Sequence, residues 1–240
     1  MNLVVEIGNT ALKAAWVDGK TFGKTYRYQG ERMVDFIISV TERDKPGVIT
    51  VASVNDISPA DIHRLESVCG SLLLLDPHHV SALQRYGLPD YLSYDRAAAL
   101  IAAKSMFCDK PCTVVDFGTV MNVDFISADG KYEGGNISVG CRTRFKALNR
   151  YSKTLPLVNT PLDTDVIGQS LVSSIESGVI SGIVFEIQAY IDSRPDNIVI
   201  FTGGDANYFV KKMKNSIFVI CNLVLMGLVQ ITDDYVKELE

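Results

Sequence analysis

The feature that most constrains this chain is that it repeats its own opening. Val4-Val5-Glu6-Ile7-Gly8-Asn9 returns about 110 residues later as Val114-Val115-Asp116-Phe117-Gly118-Thr119. Each is an apolar strand ending on an acid, an apolar residue and a glycine. The following turn repeats as well, Asp18-Gly19-Lys20 against Asp129-Gly130-Lys131, with a one-residue slip. Self-similarity at this spacing signals two copies of one supersecondary unit. The expected fold is therefore α/β, with two duplicated lobes, each a mixed β-sheet flanked by helices, and a cleft between them. The boundary falls near Lys110-Pro111, giving lobes 1–110 and 111–240.

Within each copy, short apolar runs punctuated by turn residues predict an antiparallel meander. In the first these are 3–7, 11–17 and 25–29; in the second, 113–117, 121–127 and a strand from Lys131 onward. A helix over about 31–43 leads to a buried strand at 48–54. Ser58 and Pro59 open another helix as N-cap and first residue. Leu72–Leu75 reads as a strand, and Asp95–Phe107 as an Ala-rich helix. The second copy continues with helices over about 142–153 and 166–191, a strand at 197–201, the turn Thr202-Gly203-Gly204-Asp205, and an apolar helical end. In that end, Leu223–Val229 reads as a core helix before it reads as a dimer face.

Composition removes whole classes. At 240 residues with 47% hydrophobic and 21% charged, the chain matches ordinary globular proteins and buries a core without staples. Lys+Arg 23 against Asp+Glu 28 gives 23 − 28 = −5, which argues against a nucleic-acid partner. The uninterrupted apolar runs are far shorter than the ~18–20 residues that span a bilayer, and the N-terminus lacks a basic leader, so no membrane partner is expected. Five scattered cysteines without a CxxC pair fit reduced thiols and a cytoplasmic location. His63, His78 and His79 show no zinc-ligand spacing.

The repeated turns carry the chemistry. A Gly-Asn or Gly-Thr turn after a buried strand exposes backbone N–H groups and a hydroxyl that cradle phosphate oxygens. Glu6, Gly8, Asn9, Thr10 and Lys13 place donors, a cation and a carboxylate on one hairpin. Asp116, Gly118 and Thr119 repeat the carboxylate, and Thr202-Gly203-Gly204 permits close approach of a nucleotide. Singly, each is an ordinary turn; three at the ends of duplicated halves point to metal-assisted phosphoryl transfer. Asp95-Arg96, opening the Ala-rich helix, reads either as a helix-terminal acid beside a solvated arginine, or as a proton acceptor beside an anion-binding residue.

Taken in order, Glu6-Ile7-Gly8-Asn9-Thr10…Lys13, Tyr94-Asp95-Arg96, Asp116-Phe117-Gly118-Thr119…Asp124, Gly130–Ile137, Gly140, Gly178 and Thr202-Gly203-Gly204 resemble type III pantothenate kinases across essentially the whole chain. That family belongs to the sugar kinase, Hsp70 and actin superfamily, so the resemblance implies actin-like (ribonuclease H-like) lobes. It implies ATP-dependent phosphorylation of pantothenate at its 4′-hydroxyl, the first step of coenzyme A synthesis, in a cytoplasmic homodimer. By the same resemblance Asp95 is the catalytic base. Gly8, Asn9, Thr10, Lys13, Gly118, Thr119, Gly203 and Gly204 bind ATP. Ser93, Tyr94, Asp95, Arg96 and Leu171 line the pantothenate site. Glu6 organises Mg²⁺, in part through water, and Asp116 binds a monovalent cation, K⁺ or NH₄⁺.

The chain also departs from the family pattern. Glu6 replaces the usual Asp, Ser93 the Gly of Gly-x-Asp-Arg, and Leu171 a substrate-contacting Thr. Gly118-Thr119-Val120-Met121-Asn122-Val123-Asp124 differs at two positions from Gly-Thr-Ala-x-Thr-x-Asp. These departures leave two alternatives open: a weakly active or non-catalytic regulatory member, as in the Bvg accessory factor branch, and a sister phosphotransferase with another substrate.

Overall fold

The computed structural model describes residues 1–76 and 81–239. His78 and His79 lie outside them. The chain separates into two compact units, Met1–Met106 with Asn222–Glu240, and Phe107–Cys221.

The first unit opens with β1 (Asn2–Ile7), β2 (Leu12–Asp18) and β3 (Thr21–Tyr28). Then come α1 (Met33–Thr41), β4 (Val48–Ser53), α2 (Pro59–Ser67) and β5 (Ser71–Leu75), followed by α3 (Ser81–Gln84) and α4 (Tyr94–Met106). The second unit holds β6 (Cys112–Phe117), β7 (Val120–Ile126), β8 (Tyr132–Val139), α5 (Cys141–Tyr151) and α6 (Leu171–Ser193), then β9 (Ile198–Gly203), α7 (Ala206–Val210) and β10 (Ile217–Val219). The last helix, α8 (Leu223–Leu239), belongs to the first unit.

The two sheets have the same topology. Their strand orders are β3-β2-β1-β4-β5 and β8-β7-β6-β9-β10. In each the first three strands are antiparallel and the last two run parallel to the central one. The duplication expected from sequence is therefore the fold: two five-stranded mixed sheets flanked by helices.

Period-2 alternation sends one face of each sheet into a helix-covered core. In the first unit Leu3, Val5, Ile7, Trp16, Ile49 and Val51 pack with Ile37 of α1 and Leu65 of α2. Ser58 caps α2, accepting from the Asp61 amide as expected. In the second unit Val115, Phe117, Met121, Val123 and Phe201 pack under an isoleucine stripe of α6 at residues 175, 180, 183, 187 and 191.

The boundary differs from expectation. Position in the sequence puts residues 222–240 in the second lobe, yet α8 packs on α4. The cause is side-chain size: α4 buries Ala97, Ala98, Ala99, Ala102 and Ala103, a face flat enough for a close helix. A Cβ on Gly227 of α8 would stand 1.9 Å from the Ala98 carbonyl oxygen, so only glycine permits this approach. Thr50 of β4 and Thr232 of α8 share a buried hydrogen bond of 2.7 Å beneath it. Leu223–Val229 thus serves as core, and Leu223, Leu225 and Leu228 are buried.

Among the described residues, α6 alone is long and apolar enough by length and composition to cross a membrane, with mean hydropathy 1.3 over its best window. Ser and Gly punctuate it, so it contains no long uninterrupted apolar run. Its isoleucine stripe in the core accounts for much of that hydropathy.

Candidate active site

In the first unit the site grows from the C-terminal ends of β1 and β4 and the N-terminus of α4. Glu6 occupies the face of β1 opposite the α1/α2 core and pairs in register with Lys13 of β2. Lys13 Nζ lies 3.4 Å from Glu6 Oε2. The Gly8 amide donates to the Ala11 carbonyl at 3.0 Å, closing the turn that leaves Asn9 and Thr10 exposed.

Ser93 starts α4 through its backbone: the Ala97 amide donates to the Ser93 carbonyl at 2.9 Å. The Tyr94 side chain is buried, and its hydroxyl donates to the Asp76 carbonyl at the end of β5. This anchors the helix start and sets Asp95 beside Glu6. A pocket of about 20 Å³ is lined by Glu6, Ile7, Gly8, Ala52, Ser53, Val54, Tyr94 and Asp95.

Two carboxylates face this pocket with unmet demands. Glu6 Oε2 and Asp95 Oδ1 are buried and accept no hydrogen bond, although Glu6 keeps its ion pair with Lys13. Burial pushes the Glu6 carboxyl above the usual range, Lys13 opposes that rise, and the nearby Asp95 adds to it. Buried polar atoms are normally partnered, so such oxygens fit a group that arrives with the substrate: a divalent cation at Glu6, a hydroxyl proton at Asp95. Arg96, the next residue of α4, is buried at 5% exposure.

In the second unit the repeat recurs with different neighbours. The Gly118 amide donates to Val120 O at 3.1 Å, and the Gly204 amide to Phe117 O at 2.9 Å. A Cβ on Gly203, whose φ is +89°, would lie 2.3 Å from Asp116 Oδ1. Asp116, Gly118, Gly203 and Gly204 are thus brought together, and Thr119 follows in the same turn, its carbonyl accepting from the Gly140 amide at 3.1 Å. Leu171, the first residue of α6, does not join them; it lines an apolar groove between β8, α5 and α6.

Asn122 is not among the expected site residues and Thr202 is expected only as part of the Thr-Gly-Gly turn, yet both are register partners of Asp116. Their signal was available: each falls where period-2 alternation places it on the Asp116 face.

Comparison with known proteins agrees with this arrangement. Residues 2–193 match the family model for type III pantothenate kinase. A type III pantothenate kinase of Phocaeicola vulgatus is 37% identical over 235 residues, covering 95% of this chain and 96% of that one. Its counterpart in Bacteroides fragilis strain YCH46 is 35% identical over 233 residues, with the same coverage. Among solved structures, a Baf family protein from Campylobacter jejuni superposes with TM-score 0.65 at 21% identity, covering 98% of this chain and 99% of that one. The ROK hexokinase of Thermus thermophilus superposes with TM-score 0.53 at 12% identity, covering 95% and 97%. At those identities the structures speak for the actin-like fold alone. The sequence relatives go further: the chain belongs to the type III pantothenate kinase family.

Proposed function

We propose that this protein phosphorylates the 4′-hydroxyl of pantothenate with ATP, opening coenzyme A synthesis. The observation that carries the reading is the Asp95 Oδ1 atom, buried, without an acceptor role, at the start of α4 beside Glu6. Asp95 takes the proton of the attacking hydroxyl as its oxygen bonds the γ-phosphorus and ADP leaves. Such transfers have loose transition states in which positioning and charge neutralisation supply most of the rate. Asn9, Thr10 and Lys13 hold phosphate oxygens, and Gly118, Thr119, Gly203 and Gly204 admit the nucleotide. Arg96 meets the pantothenate carboxylate only where that carboxylate enters the interior, the setting in which a charged hydrogen bond is strongest.

A divalent cation, Mg²⁺ in this reading, neutralises the transferred phosphate when bound; Glu6 is the residue we assign to it. Asp116 takes a monovalent cation, K⁺ or NH₄⁺. Ser93 and the backbone of Tyr94 border the pantothenate site, while the Tyr94 hydroxyl is turned inward to Asp76.

The homodimer implied by the resemblance is supported by the surface of the second unit. An apolar groove of about 970 Å³ is lined by Leu148, Tyr151, Leu155, Leu171 and Ile175 among others. Leu162, Val166, Ile167 and Phe185 are exposed on the same unit. Exposed apolar surface on this scale marks an interaction face, and a homodimer contact is the use we assign to the groove. We assign Leu171 to that contact. All five cysteines are free, which supports a reducing cytoplasm.

The test is ADP release with ATP, Mg²⁺ and pantothenate, run in K⁺ or NH₄⁺ and again in Na⁺ alone. Pantothenate-dependent turnover that needs K⁺ or NH₄⁺ is expected. A folded, ATP-binding protein with no turnover overturns the reading.

A further inference from the structure

Glu6 and Lys13 are register partners, so one carboxylate meets both the ammonium carried by β2 and the small pocket shared with Asp95. Among the described residues Lys13 is the only ion-pair partner of Glu6. A charge-assisted hydrogen bond closes to about 2.7–2.9 Å. This contact stops at 3.4 Å, and Glu6 Oε2 stays buried without a hydrogen bond. The ammonium therefore neutralises the carboxylate without satisfying it, and the pair is loose enough to be exchanged. Asp116, the equivalent acid of the second sheet, faces the neutral Asn122 in the equivalent place. The ammonium is thus particular to the Glu6 site and is no part of the repeated scaffold.

The contact excludes a metal ion at the same oxygen. A divalent cation needs the carboxylate for itself or for its water shell, and two cations so close together repel. Lys13 has a second place to go. Its flexible four-carbon stem springs from the strand that leaves the Gly8–Ala11 turn. That turn starts two residues beyond Glu6, roughly 7 Å by strand rise, so rotamer changes alone carry the ammonium from carboxylate to phosphate. We infer that Lys13 is an exchangeable counter-ion: without nucleotide it holds the divalent cation's place at Glu6, and it passes to the phosphate oxygens when nucleotide and cation arrive together. The inference rests on the assignments of Glu6 and Lys13 made above and adds an order of events to them. Free cation is kept out, and cation and nucleotide bind as a unit, each raising the affinity of the other by the same factor.

The test titrates Mn²⁺ alone into the full-length enzyme without nucleotide, read by electron paramagnetic resonance. Lys13→Met keeps a long stem and removes the charge, leaving Glu6 and Asp95 to face their pocket without a counter-ion. It is expected to bind Mn²⁺ at least tenfold tighter than the parent, and Lys13→Arg within threefold of it. Adding Glu6→Gln to Lys13→Met should cancel the gain. Mn²⁺ affinity in Lys13→Met equal to or below the parent's overturns the inference. So does a gain that survives Glu6→Gln, which puts the cation elsewhere. A crystal of the parent with Mn²⁺ and a non-hydrolysable ATP analogue decides without any variant. Lys13 Nζ is expected within hydrogen-bond reach of a phosphate oxygen and away from Glu6; an ammonium still on Glu6 overturns the exchange. Pantothenate-dependent turnover with a Mn²⁺ affinity indifferent to Lys13 fails this inference alone. The Lys13 effect in an enzyme without pantothenate turnover fails only the reading of its substrate.

Discussion

The two hairpins that open the two units share a backbone plan and differ in what faces the acid. Glu6 stands across from an ammonium, Lys13 Nζ at 3.4 Å; Asp116 stands across from the neutral Asn122. The helices that follow the two sheets in the sequence differ as well, although both belong to the first unit. α4 begins Tyr94-Asp95-Arg96, whereas α8 begins Leu223-Val224-Leu225. Duplication supplied two equivalent strand ends; at one the acid meets an internal counter-charge, at the other a neutral amide. The repeated scaffold puts a carboxylate at the same place twice, and the register partner it meets there is what differs.

Replacing Asp95, the proton acceptor we propose, should break the comparison most severely. Asp95→Asn should cut kcat by about 10²–10⁴-fold while leaving the thermal melt in place; near-normal kcat would remove Asp95 from its role. Glu6→Gln should cost about 10²–10³-fold in kcat, yet leave the melting temperature at pH 7 equal or higher. Burial raises the Glu6 carboxyl above its value of 4.5 in the unfolded chain. Between those two values the native state holds a proton that the unfolded state has lost, so stability falls as pH rises through that window. Activity should run the other way, failing on the acid side as Glu6 takes up a proton in place of the cation. A pH–rate profile beside a pH–melt series checks both signs, and Glu6→Gln should flatten the melt series.

Gly203→Ala probes the second hairpin. A Cβ 2.3 Å from Asp116 Oδ1, on a backbone with φ of +89°, should destabilise by roughly 2–3 kcal/mol in urea melts and disturb Asp116 with it. The smallest effect is expected from Tyr94→Phe. Losing the hydrogen bond to the Asp76 carbonyl should cost about 1 kcal/mol, with kcat falling further than pantothenate affinity. A rise in KM at unchanged kcat would show instead that the hydroxyl contacts substrate.

The architecture was legible because its signals are local. Period-2 runs ending on Gly turns mark the strands around Glu6 and Asp116, and Ser58-Pro59 marks the start of α2 to the residue. What escaped depends on distant contacts. The three-residue β10 (Ile217–Val219) is a strand only because it lies along Val199–Phe201. α6 starts at Leu171 rather than 166 because Ser170 and Ser173 form a reciprocal cap, a Ser-x-x-Ser pattern weaker in sequence than Ser-x-x-Glu. The partition of α8 was invisible for the same reason, since nothing in Leu223–Leu239 announces that its surface matches five alanines more than a hundred residues earlier. The site divides likewise: its acids and glycines stood out as motifs, whereas Asn122 and Thr202 acquire meaning only once strand register is known.

That α8 completes the first unit bears on how the protein is made. A ribosome finishes α4 at Met106 and delivers α8 only after residues 107–221. At ~5–20 residues per second, the alanine face of α4 waits roughly 6–25 s for its cover. The second unit, contiguous in sequence, is entire on the nascent chain while the first, begun earlier, still lacks a wall. The part of the enzyme that holds Asp95 is therefore the last to become native, and chaperones or proteases that attend synthesis meet its half-built core rather than its neighbour's.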